Sequence, residues 1–124
     1  MSGSSYNEVT PVTAGADLRS HQWKVINVAG TLCSVAATGL GVLQNKPASG
    51  DDASAAYSGR SKFAAGGTIT AGKALTVASG GWCVAANSGQ VTVGRSLEAV
   101  ASGFIGRGIF NFNTFGYLPA SLSG

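Results

Sequence analysis

Apolar residues recur along this chain with a period of two, in short runs divided by glycine-containing turns, the pattern of half-buried β-strands. Trp23 and Val25 alternate with Lys24 and Ile26, and Ala29-Gly30 turns the chain into a second run over 31–37. Thr38-Gly39 breaks that run before 40–44, so the pattern predicts a hairpin between the two. Residues 47–53 (Pro-Ala-Ser-Gly-Asp-Asp-Ala) read as a loop on turn chemistry. A longer strand is expected over 55–64, weakened at Gly59, and Gly66-Gly67 leads into a short run over 68–70. Strands follow over 74–78, with Leu75 and Val77 on one face, and over 82–86, with Trp82 and Val84 on one face. Another is expected over 90–97, where Val91 and Val93 flank Thr92, and a last one over 104–112 sets Phe110 and Phe112 on one side. The one helical candidate, 96–101, is cut short by Gly103. Strands and turns at this spacing predict an all-β fold, a small β-barrel or β-sandwich.

Residues 1–20 differ from the rest. Within them 1–16 is Ser-, Gly- and Thr-rich, holds Pro11, and has in Val9 and Val12 apolar residues too sparse for a core of their own. The expected organisation is therefore an extended N-terminal arm over 1–20 and a single β-domain over 21–124 with a Phe-rich C-terminal segment.

Composition makes this domain an unusual one. Of 124 residues, 44% are hydrophobic but only 10% are charged, against roughly 25% in an average soluble domain. The apolar residues are mostly Ala and Val, and 19 residues are Gly, so each buried side chain removes little area from water. A thin core and a sparsely charged surface both favour packing of subunits on one another. The net charge of +3 comes from basic residues scattered through the sequence: Arg19, Lys24, Lys46, Arg60, Lys62, Lys73, Arg95 and Arg107. Only Arg60 and Lys62 stand close together, at i, i+2 on one strand face, which is not the basic-aromatic pattern of a nucleic-acid binder. No nucleic-acid partner is expected. Nor is a membrane partner, because no run approaches the ~20 apolar residues of a span. Residues 1–16 lack the apolar centre of a signal peptide, so folding in a cytosol is expected.

Candidate chemistry is scarce. His21 is the sole histidine, which rules out a multi-histidine metal site, and it sits at the edge of the arm as a surface or packing residue. Asp51 and Asp52 are adjacent in a turn-rich loop, where aspartate caps turns and stays solvated rather than working as an acid/base pair. Gly103-Phe-Ile-Gly-Arg-Gly108 lacks the following helix that a phosphate loop needs, and these glycines read as turns or bulges. Cys33 and Cys83 lie in apolar runs and read as buried thiols; whether they pair is left open by spacing. No catalytic residue, cofactor or metal is expected, and the chain is not read as an enzyme. The aromatic residues Phe104, Phe110, Phe112, Phe115 and Tyr117 crowd the C-terminal segment, where part of the set fills the core and part can dock on another chain.

Four segments in order carry a family resemblance: Gly41-Val-Leu-Gln-Asn-Lys-Pro47, Gly59-Arg-Ser-Lys-Phe63, Ala65-Gly-Gly-Thr-Ile-Thr-Ala-Gly-Lys-Ala-Leu75 and Val93-Gly-Arg-Ser-Leu-Glu-Ala99. Over about residues 20–112 the chain resembles the capsid decoration, or cement, proteins of tailed bacteriophages. Lys73 stands where that family often has Asp, and Ser96 where Ala is common, while the arm and the Phe-rich tail have no counterpart. The resemblance implies a virion structural protein on the capsid exterior, made in the host cytoplasm. It implies one that binds the major capsid protein, bridges capsomers as a homotrimer and stabilises the head. The residues expected at capsid or subunit interfaces are Val9, Pro11, Val12, Phe110, Phe112, Phe115 and Tyr117. The alternative is a phage fibre or adhesin module that binds a host surface glycan through Trp23, Trp82 or Tyr57.

Overall fold

A computed structural model describes residues 7–112 and 116–117. Among them the strands are β1 (Asn7–Thr13), β2 (Val25–Asn27), β3 (Gly39–Leu43), β4 (Asp52–Ala64), β5 (Ala74–Ala78), β6 (Trp82–Ala85), β7 (Val91–Thr92), β8 (Gly94–Ser96), β9 (Ile105–Asn111) and β10 (Gly116–Tyr117). One sheet runs β2-β3-β4-β9-β8-β5-β6 with β1 paired to β4, and β7 and β10 form a separate two-stranded pair. The two ends of the main path meet. Val25 in β2 donates its N–H to the carbonyl of Gly81 at 2.8 Å, in the turn before β6. That closure needs glycine: Gly81 has φ 80°, and a Cβ there would stand 2.6 Å from the Val25 oxygen. The result is a small, nearly closed all-β barrel, which disposes of the edge-strand problem by curling the sheet on itself.

Two apolar clusters hold it together. The main one gathers Val25, Cys33, Val42, Phe63, Ile69, Leu75, Cys83, Val93, Phe110 and Phe112, and a smaller one joins Ala14, Leu18, Ile26, Leu43, Ala53 and Ala55. Period two sends Val25 and Ile26 to opposite clusters, and likewise Val42 and Leu43. β4 serves both through a bulge: Glu8 faces Ser58 but Val9 faces Ala56, so Tyr57 is the extra residue. Before it, Ala53 and Ala55 face the smaller cluster; after it, Tyr57 and Phe63 pack on the main one. Large rings lie opposite glycines. Phe63 pairs with Gly106, and Phe110 with both Gly59 and Gly94, so the rings lie over bare backbone. Phe63 and Phe110 meet edge to face at 5.8 Å, and Phe112 stacks on Phe110 at 5.9 Å.

The structure departs from the sequence pattern in several places. Residues 31–37 form no strand beyond a single bridge from Ile26 to Leu32, followed by a 3-10 turn at Ala36–Thr38. The Asn27 side chain causes this by accepting from the Ala29 and Thr31 amides and the Thr31 hydroxyl, which curls the chain tightly. The hairpin partner of β3 is accordingly β2. The strand expected over 90–97 is split at Val93, which turns into the core between β7 and β8. The stretch 96–101 is not helical, because the Ser96 hydroxyl bonds the Glu98 carbonyl at 2.6 Å and Val100 pairs with Ile69. In β6 the core-facing residue is Cys83, with Trp82 and Val84 half-buried on the opposite face. Gly106 and Gly108 lie within β9 rather than in a turn, whereas Gly103 does occupy a turn.

The largest correction concerns the first 20 residues. Within the described part, 7–13 is a full strand on β4, with Asn7 opposite Gly59 and Thr13 opposite Asp52. Ala14 and Leu18 are buried in the smaller cluster, and the Leu18 amide bonds the Pro47 carbonyl at 3.0 Å. Residues 7–20 are thus built into the barrel and are not a free arm. Sparse anchors suffice here because the backbone, not side chains, makes most of the attachment.

Candidate functional site

The fourteen inner positions of the main cluster leave the other face of β4, β9 and β8 to solvent, and the register there assembles what the sequence scatters. On β9 the alternation is strict: Gly106, Gly108 and Phe110 are buried, while Ile105, Arg107, Ile109 and Asn111 are exposed. Arg60 of β4 and Arg95 of β8 both pair with Ile109, giving a row Arg60–Ile109–Arg95 across three strands. The next row sets Lys62 directly opposite Arg107 and continues toward Leu97, whose amide bonds the Arg107 carbonyl at 2.9 Å. Four of the eight basic residues therefore share one face, although they lie up to 47 positions apart in the chain.

At one margin this face dips into a cleft of about 480 Å³ lined by Trp23, Gln44, Arg60, Ser61, Lys62, Leu97, Glu98 and Arg107. Trp23 is the only described non-glycine residue with positive φ, at 75°. Two backbone bonds force it there: its N–H donates to Leu43 at 2.8 Å, and its carbonyl accepts from Ala64 at 2.9 Å. A bulky residue in this region is strained, and such strain is found at ligand clamps more often than elsewhere. The Lys62 ammonium stands 5.4 Å from the indole centroid, within cation–π range. Below it the floor is ordered, since Gln44 Nε2 donates to the Ser61 hydroxyl at 2.8 Å and to the Val42 carbonyl at 3.0 Å.

Glu98 approaches Arg107 at 3.3 Å, and the guanidinium holds its carboxyl below the ordinary range; the pair is solvent-exposed and weak. Arg95 spends one N–H on the Gly72 carbonyl at 2.6 Å. Glu8 of β1 lies exposed opposite Ser58, two residues along β4 from Arg60, while Asp17 and Asp51 stand elsewhere. Asp17 is clamped by Arg19 at 2.9 Å, which lowers its pKa to about 2, and Asp51 accepts from the Ala48 amide at 3.3 Å as a turn cap. No group of three or more His, Cys, Asp or Glu side chains converges among the described residues. His21 is half-buried with Nδ1 3.0 Å from the Lys24 ammonium. Cys33 and Cys83 are free thiols in the main cluster, and burial pushes Cys83 up to about 12.

The residues singled out in the sequence fall into distinct places. Val9 is half-exposed and Pro11 exposed on β1, with Val12 partly buried against the smaller cluster. Phe110 and Phe112, at 2% and 6% exposure, fill the core of this chain and offer no docking surface of their own. Glycines leave room for both rings: Gly59 and Gly94 lie opposite Phe110, and Gly39 stands against the Phe112 ring. Phe115 lies outside the described residues, and Tyr117 pairs with Val91 through its backbone. Tyr57 packs on the main cluster, and Trp82 lies under the Lys24 ammonium at 4.1 Å. Missing from the sequence expectation were Arg95, Arg107 and Ile109 as a group. The alternation of 105–111 could have exposed two of them; their union with Arg60 and Lys62 needed the register.

No protein-family model matches this chain, and no curated protein matches it either. Among solved structures the barrel is similar to the head fiber gp8.5 N base of bacteriophage phi29. That likeness has a TM-score of 0.66 at 14% identity, over 85% of this chain and 94% of that one. At this identity the likeness establishes the fold.

Proposed function

We propose that this chain is a non-enzymatic structural protein of a phage virion, which docks on the outer surface of the capsid and bridges capsomers as a homotrimer. The observation that carries the reading is the shared barrel with a phage head fiber base, over nearly the whole of both chains. The order of the four decoration-like segments is consistent with it. Each of those segments has a structural use here. In the first, Val42 and Leu43 supply one side chain to each core, and Asn45 ties the loop by bonding the Asp52 carbonyl and the Ser54 amide at 3.0 and 3.1 Å. A site presented many times on a shell lets modest contact energy per copy reinforce the whole.

The test is co-sedimentation of the purified protein with heads assembled without it, followed by image reconstruction. Saturable binding at threefold positions, with a gain in head stability, is expected; no binding to heads refutes the role. The alternative, a module for a host glycan, is favoured by one observation: the strained Trp23 indole at the edge of a cleft with amide and cationic groups. Binding on a glycan array that is lost in Trp23→Ala, without binding to heads, would select that reading instead.

A further inference from the structure

Phe104 stands 66% exposed, whereas Trp23, Tyr57 and Trp82 are half-buried and Phe63, Phe110 and Phe112 lie in the core. The turn that carries it is pinned to the end of β4. Gly103, at φ 84°, donates its N–H to the Ala65 carbonyl at 2.8 Å, and Ala65 donates back to the Phe104 carbonyl at 2.9 Å. The Phe104 N–H then closes the turn on the Ala101 carbonyl at 3.1 Å. Through Ser102 and Gly103 the same turn borders a groove of about 400 Å³, whose other lining residues are Ala65, Gly66, Ala78, Ser79, Trp82 and Val84. Glycine at 66 lets β6 close in, since a Cβ there would stand 2.7 Å from the Trp82 Cβ.

A lone exposed apolar side chain is ordinary, but a ring held on a fixed turn beside an apolar groove makes one continuous surface. Charge decides between its occupants. Neither the groove lining nor the turn over 101–105 contains a charged residue, and a nucleic acid that stacked on Phe104 would need cations beside it. The Lys24 ammonium bears on the Trp82 ring at 4.1 Å but is held 3.0 Å from His21 Nδ1. Copies of one chain must apply their surfaces to one another, and like charges set face to face are costly; this surface can meet its own kind without that cost. Because ring and groove share a turn, both can lie close to one rotation axis. Each ring then enters the next copy's groove, a head-to-tail contact that closes into a ring of subunits.

We infer that Phe104 seats in the Trp82 groove of a second copy of this chain, once for each subunit around the axis of the proposed homotrimer. The inference rests on that trimeric reading and names the contact that holds the subunits together. The pinned turn leaves little conformational freedom to be lost when the ring docks.

Sedimentation velocity of the full chain over a range of protein concentrations tests this. Phe104→Ser removes the ring, Ser79→Lys places a charge in the groove, and Val28→Ser removes a side chain 73% exposed in the turn after β2 as a control. Wild type and the control are expected to sediment as trimers at the same concentrations, and the other two variants to need at least tenfold more protein to associate. Association of either Phe104→Ser or Ser79→Lys like wild type, or an equal loss in the control, overturns the inference and leaves the trimer standing. A wild type that is monomeric throughout overturns the trimer and this inference with it. Wild-type binding to a poly(dT) oligonucleotide or a glycan array that Phe104→Ser abolishes, with its sedimentation unchanged, assigns the ring to a base or a sugar and overturns the choice of a second copy. Should circular dichroism show either variant unfolded, Phe104→Asn or Ser79→Glu replaces it and the same outcomes are read.

Discussion

Trp23 and Cys83 show how far single residues are governed by neighbours distant in sequence. Trp23 has positive φ because Leu43 and Ala64 grip its backbone from both sides. Replacement by glycine should here be less damaging than replacement by alanine, by about 1 kcal/mol. Urea denaturation of Trp23→Gly and Trp23→Ala measures this, and equal stabilities would show the residue to be unstrained. Cys83 is held as a neutral thiol, its pKa raised from 9.0 to about 12, first by burial and then by the nearby Cys33. A raised pKa means that the folded state keeps its proton when the unfolded chain releases it. The contribution is therefore intact below about pH 9 and is lost progressively between 9 and 12, with a slope of at most about 1.4 kcal/mol per pH unit. Native protein should resist a thiol reagent at pH 8 until it unfolds, and Cys83→Ala should flatten the alkaline decline. Rapid labelling of the native thiol would contradict the burial.

At the level of elements, β1 carries the main surprise. Its composition, with Pro11 and few apolar residues, reads as a chain that cannot support itself, and alone it could not. In the barrel it needs no core of its own, because β4 supplies a hydrogen-bonding edge and the Ala14 and Leu18 that follow fill the smaller cluster. Removing residues 1–13 should therefore uncover Ala53 and Ala55 and lower the melting temperature by several degrees, on the order of a 1–3 kcal/mol loss. An unchanged melting temperature would restore the picture of a detachable arm. The strands over 55–64, 74–78 and 82–86 were legible from alternation and their flanking turns, because these signals are local. The loss of the strand at 31–37 was not, since it depends on one side chain, Asn27, taking over the bonds that a ladder would use.

For the whole molecule, the core is made of a few large rings laid over glycines and many small side chains elsewhere. Such a barrel gains from association, so the melting temperature of the proposed trimer should rise with protein concentration. Calorimetry across a hundredfold dilution reads this directly, and a constant value would argue for an independent monomer. The same scale explains why the basic residues seemed scattered. β4 lies far from β8 and β9 in the chain but beside β9 in the sheet, and one-residue register decides that Arg60, Lys62, Arg95 and Arg107 all turn outward.

By itself, the amino-acid order determined the class of the fold and most of the places where the chain turns. These follow from period-two patterning and glycine placement, which act over a few residues. Only the tertiary structure decided that residues 7–20 belong to the barrel, that Phe110 and Phe112 are spent on the core, and that four cations and Ile109 form one face. Each of those outcomes depends on which strands become neighbours and in what register, and that is set by closure of the sheet around its buried rings.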